Sequence, residues 1–226
     1  MSTQRLTPRE RARAATLAEM KSVALRQLAE AGPQALSLRA IAREIGIVPS
    51  GIYRYWAGRD ELLTELIVDS YTDLAGALAQ AARSGTHPRE RWRATCAALR
   101  RFARREPHRF LLIYGTPVTT YRAPQDTVEP AAQVVRALTA PLRDARPAPR
   151  PGREPEPGLA EQLQRLREAL GGGLPEPVLA PAVGAVAQLL GLLVLELGGH
   201  FVGTFEPADA LYADAVERMA DRLGLD

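Results

Sequence analysis

Residues 37–62 read SLRAIAREIGIVPSGIYRYWAGRDEL, and their order decides the fold. Ser37 suits the N-cap of a helix that buries Leu38, Ile41, Ala42 and Ile45 on one side. Gly46 closes that helix, and Ile47 and Val48 are expected to plug the turn into the same core. Pro49 suits the first position of a short third helix over residues 49–55, with Ile52 and Trp56 facing inward. A helix, a tight turn and a second short helix ending in aromatic and basic residues can present one helix to the major groove of DNA.

Outward from this segment the pattern stays helical. Toward the N-terminus a helix is expected from Pro8 to Ala31, ended by Gly32-Pro33, with Leu17, Met20, Ala24, Leu28 and Ala31 on one face. Toward the C-terminus a fourth helix is expected from Arg59 to about Arg83, too long to belong to the small domain alone. Further helices are expected: a fifth that carries Trp92, Cys96, Leu99 and Ala103 as its stripe and ends before Pro107, then others over HRFLLIY (108–114), over 126–143 and near 159–170. Residues 144–158, DARPAPRPGREPEPG, hold five prolines and two glycines with almost nothing to bury, and read as a flexible loop.

The last two helices are expected over 178–202 and 206–224. In the first, Gly184, Gly191 and Gly198 fall seven apart, with Ala187 and Leu195 on the same strip. In the second, Ala208, Leu211, Ala215, Met219 and Leu223 form a stripe. Two such faces exceed what one chain easily covers, so a homodimer pairing them in a four-helix interface is expected. The candidate interface residues are Gly184, Gly191, Leu195, Gly198, Leu211, Ala215 and Met219.

Charge separates along the chain. Residues 1–59 hold ten basic and four acidic side chains; the remainder holds nineteen basic and twenty-two acidic ones. A small basic end on a near-neutral body points to a localised polyanion contact. Of the basic residues only Lys21 is a lysine. The single cysteine, Cys96, excludes an intrachain disulfide framework and suits a reducing cytoplasm. The N-terminal MSTQRLTPRERARAA has no apolar core and does not read as a secretory signal. Residues 178–195 are membrane-like only at the margin, since Pro181 and Gln188 interrupt them; a buried helix and no membrane partner are expected.

Within the basic end, Arg39, Pro49, Ser50, Gly51, Tyr53, Arg54, Tyr55 and Arg59 are the candidate DNA contacts. Pro49, Ser50 and Gly51 are small enough to enter the groove. That leaves base reading to Arg39, Ser50, Tyr53 and Arg54, since arginine can fork onto guanine. Arg59 opens the fourth helix, where its N-terminal dipole favours a phosphate.

These residues resemble the DNA-binding domain of the TetR family of bacterial transcriptional regulators. IAREIG (41–46) resembles the second helix of that domain, and IVPSGIYRYWAGRDELL (47–63) its turn, recognition helix and entry to the fourth helix. The resemblance implies phosphate contacts by Tyr53, Tyr55 and Arg59. Gly51 departs from it, standing where threonine or alanine is frequent. FLLIYGTPVTTYRAPQDTVEPA (110–131) and LLVLELGGHF (192–201) resemble stretches of an actinobacterial subgroup with a WHG-type C-terminal domain. Its Trp and His-Gly pair are not matched throughout: AVAQLLG (185–191) has neither Trp nor His, so no ligand role carries over to those positions.

The resemblance implies an all-α chain. A three-helix helix-turn-helix domain over residues 1–60 would be joined by a long fourth helix to a ligand-binding and dimerisation domain over 61–226. It also implies a dimeric repressor that a small-molecule effector releases from a palindromic double-stranded operator. Trp92, Cys96, Phe110, Tyr114 and Tyr121 are the candidate pocket residues, an aromatic and thiol group with hydroxyl handles.

The competing classes are an activator of the same fold, a helical dimer that does not bind DNA, and an enzyme. His87, His108 and His200 are far apart, Cys96 has no sequence-near histidine, and no H-x-x-x-H pair, G-x-S-x-G elbow or phosphate-cradling glycine loop occurs. No turnover, metal or cofactor is expected. Glu196 and His200, four apart, are expected to form a polar pair rather than a metal site.

Overall fold

The computed structural model describes residues 7–115, 118, 121–145 and 156–225. Ten α-helices follow one another among the described residues: α1 Pro8–Ala31, α2 Leu38–Glu44, α3 Pro49–Ile52, α4 Arg59–Ala81, α5 Pro88–Arg105, α6 Pro107–Tyr114, α7 Val128–Ala145, α8 Pro157–Ala169, α9 Glu176–Leu197 and α10 Asp209–Leu223. The chain is all-α. It divides into two compact units, Met1–Ile67 with Thr116–Pro124, and Val68–Gly115 with Gln125–Asp226. Helix α4 therefore supplies residues to both. Of the expected loop at 144–158, residues 146–155 lie outside the described residues, while its ends complete α7 and begin α8.

The first unit is punctuated by local chemistry. Thr7 caps α1: its hydroxyl accepts from the Glu10 backbone N–H at 3.3 Å, while the Glu10 carboxylate accepts from the Thr7 N–H at 2.7 Å, and Pro8 follows. Ser37 caps α2 by accepting from the Ala40 N–H at 3.3 Å. Gly46 ends that turn at φ 73°, in the left-handed region where a Cβ is strained. Met20, Ala24, Leu28, Leu38, Ile41, Ala42, Ile52, Trp56, Leu62, Leu63 and Leu66 are buried together. The indole N–H of Trp56 donates to the Glu65 carboxylate, which also pairs with Lys21 at 2.5 Å and so ties α1 to α4.

Helix α3 is shorter than the expected 49–55. Only Pro49–Ile52 is α-helical, and residues 53–55 continue as turn. Val48 corrects a second expectation: Ile47 is half-buried, but Val48 stands 68% exposed.

In the second unit α5 lies centrally and packs against α6, α7, α9 and α10. Leu74 and Leu78 of α4, Trp92, Cys96, Leu99 and Phe102 of α5, Phe110, Val134, Leu138, Leu142, Leu189, Leu193, Met219 and Leu223 share its core. Two arginine clamps flank that core. The Arg100 guanidinium donates to both carboxylate oxygens of Glu196, at 3.0 and 2.8 Å, and to Asp209 at 3.0 Å, and it lies 5.1 Å from the ring centre of Tyr212. Arg89 and Arg93 both donate to Glu217, and Arg89 also reaches Asp221. The first clamp joins α5 to α9 and the start of α10; the second joins α5 to the middle of α10.

The last helices are shorter than expected. Helix α9 stops at Leu197, and turns through Gly199 and Gly203, both at positive φ, lead to α10 at Asp209. Because Glu196 is taken by Arg100 and His200 lies exposed beyond the helix end, the expected Glu196–His200 pair does not form. Among the described residues α9 is the one helix long and apolar enough to cross a bilayer, yet Val178, Leu179, Ala182, Ala185, Leu189 and Leu193 on it are buried in the protein.

Candidate DNA-reading face and effector region

The turn at Gly46 and the short α3 place a particular set of side chains in solvent. Arg39 on α2 and Pro49, Ser50 and Arg54 around α3 are exposed, and Tyr53 is 47% exposed. Beneath them Ile52 is fully buried and Trp56 nearly so, which fixes the orientation of the segment. Tyr55 is half-buried, its ring 6.1 Å from that of Trp56 and 5.5 Å from the Arg13 guanidinium carbon. Arg13 was not foreseen; it lies on a different helix, and no local spacing announces the contact.

Two of the expected contacts are placed elsewhere. Gly51 is buried, against Val48, Ile47 and Arg54, and has no side chain to offer a base. Arg59 turns inward: one nitrogen donates to the Pro33 carbonyl at 2.6 Å, another lies 3.6 Å from Asp60, and Nε is buried. Its guanidinium staples the start of α4 to the turn after α1. The N-terminal position that suggested a phosphate contact also brings this side chain within reach of the Pro33 carbonyl.

The five pocket candidates separate into three groups. Trp92 and Cys96 are core residues. The Trp92 indole N–H donates to the Val216 carbonyl at 3.1 Å, and the Cys96 carbonyl accepts from the Tyr212 hydroxyl at 2.9 Å. Burial pushes the Cys96 thiol well above its ordinary range and raises the Tyr212 phenol. Phe110 and Tyr114 do lie together, 5.2 Å between ring centres, with Tyr71 edge-on to Tyr114 at 5.9 Å. Burial raises the Tyr114 phenol as well, with Tyr71 a lesser cause. Tyr121 belongs to the first unit, where its hydroxyl meets that of Thr64 at 2.9 Å.

A separate apolar cavity of about 290 Å³ lies between α7, α8 and α9. Val135, Leu166, Leu170, Leu179, Val186 and Leu190 line it, and Thr139 is its one polar side chain. The leucine spacing on α8 was a visible signal, but the sequence offers nothing to say that these leucines leave a space rather than fill one.

The small-residue strip of α9 faces outward. Gly184, Ala187, Gly191 and Leu195 are exposed, and a Cβ added at Gly184 or Gly191 would meet nothing within 4 Å. Neither glycine is required by its own protomer, although each weakens a helix interior by about 1 kcal/mol relative to alanine. Gly198 differs: it ends α9, and an added Cβ would lie 3.0 Å from the His200 ring and 3.1 Å from the Val194 carbonyl. Leu211 is half-buried, but Ala215 and Met219 are 5% and 1% exposed and belong to the core of the protomer. On the same helix Tyr212 and Val216 make the hydrogen bonds to α5 given above, and Met219 lines a groove with Ala185 and Gln188 of α9.

Comparison with known proteins agrees with this architecture. Residues 22–66 match the family model of bacterial regulatory proteins of the tetR family, and residues 92–219 match that of the tetracyclin repressor-like C-terminal domain. The chain is 33% identical over 234 residues to the HTH-type transcriptional regulator Rv1816 of Mycobacterium tuberculosis, covering 96% of this chain and 95% of the relative. The crystallised regulatory protein SCO4313 superposes with a TM-score of 0.80 at 36% identity, covering 94% of this chain and 98% of its own. A protein of unknown function from Rhodococcus sp. RHA1 superposes with a TM-score of 0.60 at 25% identity, covering 90% and 93%. With a capped helix-turn-helix in the first unit, an all-helical second unit and matches across both, the chain belongs to the TetR family of bacterial regulatory proteins.

Proposed function

We propose that this TetR-family regulator is a homodimeric repressor that binds an inverted-repeat operator and is released by a small, largely apolar effector. The observation that carries the reading is the solvent-facing set Arg39, Pro49, Ser50, Tyr53 and Arg54, held on a rigid base by buried Ile52 and Trp56. Arginine, hydroxyl and phenol groups on one short helix and its neighbour are the chemistry that fixes a protein on phosphates and reads base edges. Tyr55 supports the same face from a half-buried position. We assign residues 1–60 to this reading head and 61–226 to effector binding and dimerisation.

The strip Gly184, Ala187, Gly191 and Leu195 supports pairing of two copies through α9, since small residues let helix backbones approach closely. The half-buried Leu211 on α10 is assigned to the same interface. For the effector, the Phe110–Tyr114–Tyr71 group and the cavity between α7, α8 and α9 are the two regions to test, and both favour apolar molecules. The mycobacterial relative supports placing the C-terminal half in an actinobacterial subgroup. The single cysteine suits work in a reducing cytoplasm.

Selection of bound fragments from random double-stranded DNA by the purified protein tests the function. An inverted repeat with half-site centres one or more helical turns apart, about 34–36 Å per turn, is expected. A folded dimer that enriches no sequence, or binds all sequences alike with steep salt dependence, would overturn it.

A further inference from the structure

Val48 occupies a position where stability favours a different residue. It is the N-cap of α3, at φ −60° and ψ 137°, and its carbonyl accepts the first turn's hydrogen bond from the Gly51 N–H at 2.7 Å. Serine, threonine, aspartate or asparagine would there satisfy one of the open N–H groups of the helix, and valine cannot. Two helix starts of the same unit do follow that preference: Thr7 caps α1 and Ser37 caps α2, each through its hydroxyl. Valine at this N-cap also leaves its isopropyl group in water. At 68% exposure no large apolar side chain among the described residues is more exposed. Its neighbours on the surface are Pro49 and Ser50, with Tyr53 and Arg54 one turn on.

A residue that breaks two local preferences at once, at the tip of the helix offered to DNA, marks a contact made outside the chain. The major groove presents one apolar group on its base edges, the C5 methyl of thymine. We propose that Val48 reads a thymine methyl in each half-site, making it a specificity-determining residue at the tip of α3. The assignment rests on the DNA-reading function proposed above. It adds an apolar discriminator beside Pro49 to a face whose other side chains carry hydroxyl and guanidinium groups.

The test uses the full-length protein and the duplex it selects from a random pool. Each thymine is replaced in turn by 2′-deoxyuridine, which removes the methyl and leaves every hydrogen-bonding group. Symmetric replacement at one position of the half-site is expected to weaken binding about fourfold per half-site, the worth of one buried methyl-sized group. Val48→Ala is expected to bind the thymine and uracil duplexes alike. Val48→Ser, which restores a capping hydroxyl, is expected to melt no lower than the parent protein while showing the same indifference. Because that variant keeps or improves the fold, a loss of discrimination in it cannot come from unfolding. The assignment is overturned if both variants keep the parent's thymine-over-uracil preference, or if the parent shows none at any position. A folded protein that selects no duplex overturns the DNA-reading function itself, and this assignment falls with it.

Discussion

Helix α3 and helix α9 both present residues that their own chain does not use, but they do so in opposite chemical languages. Around α3 the outward set is Val48, Pro49, Ser50, Tyr53 and Arg54, four residues of helix with hydroxyl and guanidinium groups at its edges. On α9 it is Gly184, Ala187, Gly191 and Leu195, spread along a 22-residue helix with no charge among them. The first suits a polyanion with sparse apolar features, the second another helix at close range. Exposure alone says only that something is missing. The chemistry of the exposed neighbours says what kind of surface would complete it. Behind each face stands an inward anchor: Lys21, Glu65 and Trp56 behind α3, and Arg100 with Glu196 behind α9.

That contrast can be broken most sharply at α9. Gly184→Leu with Gly191→Leu puts four bulky side chains into a symmetric interface from positions where the protomer leaves room for a Cβ, so the fold should persist. Dimer dissociation should rise about 1,000-fold, read by analytical ultracentrifugation. A dimer unaffected by these changes would remove α9 as the interface.

The anchors should behave in the reverse way. Arg100→Met leaves the largely buried Glu196 carboxylate without its partner and should lower unfolding stability by about 3 kcal/mol in denaturant titration. A change in dimerisation with unchanged protomer stability would show that Arg100 belongs to the outward face instead.

At α3, Arg54→Ala should weaken operator binding without altering the melting temperature. If Arg54 holds a phosphate, the slope of log affinity against log salt should fall by about 1 per half-site. If it reads a base, the slope should stay and discrimination at one base pair should relax. Salt titration of the parent and variant on the selected duplex separates the two roles.

The smallest effect is expected at Glu217, clamped by Arg93 and Arg89. Hydrogen bonds from Arg93, then Arg89, hold its carboxyl down at about 2, against an ordinary 4.5. A carboxyl lowered by folding contributes stability that is complete above its unfolded value and fades as pH falls toward the folded one. Melting temperature should therefore drop between pH 4.5 and about 2 more steeply in the parent than in Glu217→Gln. The effect is modest because the Glu217 side chain is 38% exposed and the Arg93 side chain 51%, so solvent screens the pair.

What could be read in advance followed the range of the interactions. Ser37, Gly46 and Pro49 act on residues within a turn of themselves, so the helix boundaries around them were visible in the letters. The outward strip at Gly184 and Gly191 was visible for a similar reason: glycine repeated in a helix has no local purpose. Val48 was not, because an apolar residue beside Ile47 looks like core until the direction of the α3 N-cap is known. Ala215 and Met219 were misplaced because α10 carries apolar residues on adjoining positions, and only the packing of Val216 and Tyr212 against α5 decides which way they turn. Arg59 and Glu196 show the same limit for charge. Each has a partner far away in sequence, at Pro33 and Arg100, that outcompetes the local one.

The burial of Cys96 has a practical consequence for labelling chemistry. It is the chain's single thiol, fully enclosed and held protonated by its surroundings. Maleimides and disulfide reagents react by attack of the thiolate on them, so the native protein should be silent toward them and turn reactive only as it unfolds. The chain is thus supplied with a blank background: Ala187→Cys adds one reactive handle on the outward strip of α9. Two copies meeting through that strip would then oxidise to a covalent pair, while copies meeting elsewhere would not.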